Sequence, residues 1–220
     1  MATVVKEKNR KTHIPVIPPV HGNGNGSKGW GGGMSHSRSN YSLPIHPAKL
    51  GLWLFIAASM MLFAAFTSAY IVRSSAGDWV RVGVPTVMWF GTAALILSSV
   101  SIHSALRSVK AGQYISFRNF LLTTVVLGCI FVAGQVIGWN QMRAAGVFLD
   151  TNASSSFFYM LTVTHIVHVI GGGAALAFVT FKGLRRKYST DNYLGVELCA
   201  TYWHFLDALW VYLFLFLLIV

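Results

Sequence analysis

The chain predicts an all-α integral membrane protein: a bundle of five transmembrane helices behind a disordered N-terminal tail. Three observations lead there. Of 220 residues, 54% are hydrophobic and 10% charged, where an ordinary soluble domain carries about 25% charged residues. Five apolar runs follow one another, each close to the ~20 residues that cross a bilayer as a helix. The basic residues are segregated along the chain in the alternating manner that sets membrane topology.

Residues 1–45 come first and read as a flexible cytoplasmic tail. "IPVIPPV" cannot form a regular helix, and "HGNGNGSKGWGGGMSHSRSNYS" has too little apolar surface to build a core. From residue 46 to 220 the chain is predicted to form one transmembrane domain. Its helices are expected over about 49–72, 86–106, 119–141, 157–181 and 196–220, joined by short polar connections. The first run follows a polar tail and is too long for a signal-peptide core, so no signal peptide is expected.

Orientation follows from charge. Lys6, Lys8, Arg10, Lys11, Lys28, Arg38 and Lys49 precede the first crossing, Arg107, Lys110 and Arg118 follow the second, and Lys182, Arg185, Arg186 and Lys187 follow the fourth. Only Arg73, Arg81 and Arg143 fall on the other side. The bias places the N-terminus inside and the C-terminus outside. The formal net charge of +11 is thus a topological signal, and no nucleic-acid partner is expected. Cys129 and Cys199 lie inside apolar runs and read as packing residues. Trp53, Trp89, Trp139, Trp203 and Trp210 read as interface anchors or packing groups near segment ends or the bundle surface, and Gly171, Gly172 and Gly173 as a close-packing patch.

The ionisable residues inside the apolar runs each need a reason, because one at the bilayer centre costs about 2.5–3.5 kcal/mol on insertion scales. The last run carries Glu197, His204 and Asp207, with His204 and Asp207 one helical turn apart. The fourth carries His165 and His168, the third Gln135, and the second ends with His103. These residues fit a polar seam between helices. Two histidines at i, i+3 with a third elsewhere also suit a zinc, copper or iron site, and the residues alone leave both readings open. Paired Glu-x-x-His motifs of a di-iron bundle do not occur, and the apolar runs hold no phosphate loop or dinucleotide fingerprint. A proton-coupled carrier using His204 and Asp207 finds no support in inverted repeats.

The run "YWHFLDALWVYLF" (202–214) closely resembles the last-helix signature of subunit III of haem–copper cytochrome c oxidases, with Glu197 upstream in "GVELCATYWHF" where that family carries a Glu. "SSSFFYMLTVTHIVHVIGG" (154–172) is similar to the preceding family helix through Phe157, Phe158, Thr164, His165, His168 and Val169. "LGCIFVAGQ" (127–135) resembles the one before, with Gln135 in place. The resemblance extends from His46 to the end and implies the short, five-helix bacterial form. It implies an accessory, non-catalytic subunit of an aerobic terminal oxidase in the bacterial cytoplasmic membrane. No haem, copper or other cofactor is expected in this chain. Catalytic subunit I, subunit II and membrane phospholipid are the implied partners; quinol oxidases and nitric oxide reductases have related subunits. Glu197, His204, Asp207, His165, His168, Gln135 and His103 are then implied to form a structural polar network and lipid cleft, ligating nothing. One departure stands out: in "FIAASMM" (55–61) Ser59 occupies the place of a family glutamate. A hydroxyl does not shuttle protons as a carboxylate does.

Overall fold

The computed structural model describes residues 46–75, 79, 83, 85–190 and 192–219; the expected tail over 1–45 lies outside them. Five helices carry nearly all of it: α1 Pro47–Ser74, α2 Val87–Lys110, α3 Tyr114–Ala144, α4 Ala153–Leu184 and α5 Leu194–Ile219. All five are long and apolar enough to cross a membrane. Among the described residues the extended pairing is confined to an isolated bridge between Ser189 and Asn192.

The helices correspond to the five expected runs, and most extend past them. The apolar run ends where charge begins, but the backbone hydrogen-bond ladder continues until something stops it. In three helices the stop is the same device. Gln113 N–H reaches Ser108 C=O at 2.9 Å and Gly112 N–H reaches Val109 C=O at 3.2 Å, with Gly112 at φ 70°. The pattern recurs at Gly146 (φ 78°) after α3 and at Arg186 (φ 53°) after α4. These crossed bonds satisfy carbonyls that the helix end leaves without partners. Starts are marked too. The His46 ring accepts from Ala48 N–H ahead of Pro47, and Asn152 and Ser155 cap each other reciprocally at α4.

The packing order differs from the chain order. α2 and α3 form a closely packed antiparallel hairpin; α3 also meets α4, α2 also meets α5, and α1 packs on α4 and α5 alone. Going round the bundle the helices therefore run α1, α4, α3, α2, α5, and α4 touches α5 across the ring. Lipid offers helices no hydrophobic incentive to associate, so close backbone approach must supply the attraction. Small residues provide it. Gly134 stands against Gly91, Gly138 receives the Met88 side chain, and Gly183 receives Phe117 and Leu121. α1 presents a narrow stripe of Ile56, Ser59, Phe63, Thr67 and Tyr70, spaced three and four apart, and turns Trp53, Met61 and Val72 outward.

Two expectations need correcting. Trp203 and Trp210 are core pillars, 3% and 0% exposed, because their spacing of seven puts both on the inward face of α5. Of the three consecutive glycines, only Gly172 is a close contact: an added Cβ would lie 2.6 Å from Leu206 and 3.2 Å from Tyr202, whereas Gly171 and Gly173 have open space.

Candidate functional site

The seven polar residues singled out from the sequence occupy four places. At the end of the bundle where α1 and α5 begin, the Glu197 carboxylate meets the Lys49 ammonium at 2.9 Å, with both side chains about one-third exposed. The pair ties α1 to α5 at the level where solvent or headgroups screen it, so its contribution is about 0–1 kcal/mol.

In the centre, His165 and Gln135 are fully buried. The His165 ring lies 5.1 Å from Trp210, 6.2 Å from Phe131 and 6.4 Å from Phe63, centroid to centroid. Neither of its nitrogens, nor either amide atom of Gln135, has a hydrogen-bond partner. An aromatic cage with its cations and acids elsewhere is poor ground for acid–base work.

His168 faces α1. Its Nδ1 is 2.8 Å from the Thr164 carbonyl, which makes Nδ1 the protonated nitrogen, and its ring packs edge-on against Phe63 at 5.4 Å. One turn along α4 thus separates two environments, His165 inside the ring of helices and His168 on the α1 side.

The fourth place is the edge where α2 meets α5. His204 Nδ1 and the Ser99 hydroxyl share a hydrogen bond, and His103 stands 6.1 Å from His204 between ring centroids. The Asp207 side chain is buried near Ser99, yet neither oxygen makes a hydrogen bond of good geometry. His204 is therefore bonded to Ser99 of α2, with Asp207 buried beside the same residue. Among the described residues no three His, Cys, Asp or Glu side chains converge as a metal-ligand set.

Residues not foreseen as site members carry further cross-helix hydrogen bonds. Trp203 Nε1 donates to Ser98 at 2.9 Å and Trp210 Nε1 to Thr92 at 3.0 Å, both joining α5 to α2. Trp139 Nε1 donates to Thr162, joining α3 to α4, and the Tyr212 hydroxyl donates to Thr67, joining α5 to α1. In every case the receiving hydroxyl spends its own proton on a carbonyl one turn back: Leu95, Met88, Phe158 and Phe63 in that order. Each hydroxyl is thereby satisfied twice in a medium without water. Such interhelical bonds contribute about 0.6 kcal/mol on average, up to about 1.7. The sequence signal was present in the seven-residue spacing of Trp203 and Trp210, but the matching hydroxyls lie on another helix and cannot be paired with them in advance.

Ser59 is buried on the packed stripe of α1 and donates to the Phe55 carbonyl at 2.9 Å. Its hydroxyl is thus committed to its own helix.

The signature segments of α4 and α5 face each other in this arrangement, with Gly172 against Tyr202 and Leu206. Comparison with known proteins gives the same direction. The family model described as cytochrome c oxidase subunit III matches residues 40–220. The chain is 28% identical over 176 residues to a probable cytochrome c oxidase subunit 3 of Nocardia farcinica, covering 76% of this chain and 84% of that one. It is 30% identical over 178 residues to a cytochrome c oxidase subunit 3 of Thermostichus vulcanus, covering 77% and 86%. A Lemur catta cytochrome c oxidase subunit 3 is also 30% identical, over 177 residues, covering 76% of this chain and 64% of that one. With the match running through all five helices, the chain belongs to the cytochrome c oxidase subunit III family.

Proposed function

We propose that the chain is the accessory third subunit of a proton-pumping haem–copper terminal oxidase, seated in a bacterial cytoplasmic membrane. It holds no metal and performs no electron transfer itself. It packs on the catalytic subunit, near the side where protons are taken up, and keeps that subunit intact through turnover. Its N-terminus lies inside, as the distribution of basic residues argues. The observation that carries this reading is the family match over residues 40–220.

The chemistry of the chain agrees with a structural role. Buried His165 is caged by aromatic rings, Ser98 and Thr92 are committed to helix–helix hydrogen bonds, and Glu197 is paired with Lys49. Glu197, His204, Asp207, His165, His168, Gln135 and His103 serve to position helices. Phospholipid completes the surface. A groove of about 510 Å³ between α3 and α4, lined by Val125, Cys129, Val132, Ile170 and Leu176 with Trp203 at its base, suits an acyl chain. Ser59 in place of a carboxylate leaves α1 without a proton carrier at that position.

The test is to tag the chain, extract it gently from native membranes, identify the co-purifying subunits and record a reduced-minus-oxidised spectrum. Haem bands travelling with a large catalytic subunit are expected, and the remaining subunits then name the electron donor. A colourless 24.1 kDa chain that runs alone would overturn the proposal.

A further inference from the structure

The polar cluster at the α2–α5 edge faces the wrong way for a bundle interior. His103 is exposed, Ser99 and His204 are half-buried, and the buried Asp207 behind them lacks a well-formed hydrogen bond. Nor does the cluster sit at the headgroup level. His204 lies seven residues beyond Glu197 on α5 and His103 four residues before Arg107 on α2. At ~1.5 Å per residue they stand ~10 Å and ~6 Å past the last charged side chains, inside a hydrocarbon layer of ~30 Å. Ionisable side chains at such depth face a bundle interior, a water-filled cavity or each other, because acyl chains offer them nothing.

The other outward faces show the contrast. Met61 on α1, Val126 on α3, and Val167 and Ile170 on α4 are exposed and apolar, and the hydroxyl beside Val126, Thr123, is spent on the Asn119 carbonyl of its own helix. Among these faces of the described residues, the α2–α5 edge has an exposed imidazole, His103, bordered by His204 and Ser99 and by the exposed apolar residues Trp89 and Ile96.

We propose that this edge is the surface on which a membrane-spanning helix of a partner subunit docks, bringing a hydrogen-bonding side chain against His103, His204 and Asp207. The assignment rests on the reading that the chain assembles into an oxidase, and adds which face meets the partner. The occupant is a protein helix rather than lipid because the cluster needs hydrogen-bond complementarity below the headgroups. Apolar residues above it supply the packing surface that such a helix covers.

The experiment uses the tagged full chain in its native membrane, with His103→Trp to add bulk at this edge and Val167→Trp as a control of the same kind on α4. Chain abundance in the membrane is measured for each, and haem is read per tagged chain after mild extraction. His103→Trp is expected to lose most of its co-purifying haem at unchanged abundance, while Val167→Trp keeps it. A photo-cross-linking amino acid replacing Ile96 gives a second reading that needs no disruption. It is expected to form an adduct with another subunit, and the same group replacing Val167 is expected to capture lipid. If the wild-type chain brings down haem but the two tryptophan variants behave alike, or if Ile96 captures lipid or a second copy of this chain, the assigned face is wrong. A wild-type chain without haem would overturn the oxidase reading instead, and the docking partner with it.

Discussion

Gly172 shows how much one hydrogen atom decides in a membrane bundle. The residue has neighbours in sequence that look identical, yet only its Cα lies against Leu206 and Tyr202. Those side chains are themselves buried, so an added methyl group cannot be accommodated by a swing of a free chain end. Gly172→Ala is expected to destabilise the protein by about 1–3 kcal/mol, the usual range for overpacking. Gly171→Ala, placed in open space, is expected to be neutral or to stabilise by up to about 0.5–1 kcal/mol through helix propensity. Thermal unfolding of the two variants in one detergent checks this, and equal melting temperatures would remove the argument for a close contact. The same logic applies to Trp210. Its ring fills the centre of the bundle between Phe131 and His165, and its one polar atom is taken up by Thr92.

The helices are ended by a common device built from different residues. Gly112 and Gly146 adopt the left-handed conformation without strain, whereas Arg186 does so with a side chain, at a cost of about 1–2 kcal/mol for a non-glycine residue. Its guanidinium stacks over the Tyr114 ring at 4.9 Å, which offsets about 0.5–1 kcal/mol of that cost. Two substitutions separate the terms. Arg186→Ala and Arg186→Gly both lose the stack, but only the alanine keeps the backbone penalty. Arg186→Gly is therefore expected to be the more stable of the two by about 1 kcal/mol. A chemical-denaturation series on both variants measures the difference, and an alanine as stable as the glycine would mean that this turn has relaxed to another conformation. Tyr114 also donates its hydroxyl to the Gly183 carbonyl at 2.8 Å, so the start of α3 and the end of α4 are secured together.

For the bundle as a whole, the ring order α1, α4, α3, α2, α5 makes α4 and α5 the two helices on which everything else leans. That explains why the most recognisable sequence segments lie on those two. It also explains why α1, which meets only them, is bound through a narrow stripe, the Tyr212–Thr67 hydrogen bond and the Lys49–Glu197 pair. The proposed orientation has a direct check. Gly146→Cys, in the turn after α3, is expected to react with a membrane-impermeant maleimide in intact cells. Ala111→Cys, in the turn after α2, is expected to react only once the inner side is opened. The reverse pattern would invert the topology and with it the assignment of the basic side.

Five membrane-crossing helices, their approximate ends and their family are all legible in the residues before any packing is known. Hydropathy and charge are one-dimensional properties and act on each helix separately, so they can be read one helix at a time. The identity of the polar residues inside the membrane was equally legible. Which of them meet was not. His204 and Asp207 look like a pair along α5, and His165 and His168 like a pair along α4, because helical spacing is all that the sequence displays. Tertiary packing bonds His204 to Ser99 on α2, buries Asp207 without a well-formed hydrogen bond, leaves His165 caged by Trp210 and Phe131, and turns His168 towards Phe63 on α1. Trp203 and Trp210 lie in the core for the same reason, while Trp53 and Trp89 stay exposed. Without water in the bilayer, the partners that polar atoms do find lie on another helix or on their own backbone. The choice among helices is made by how closely the glycines and small residues let them approach.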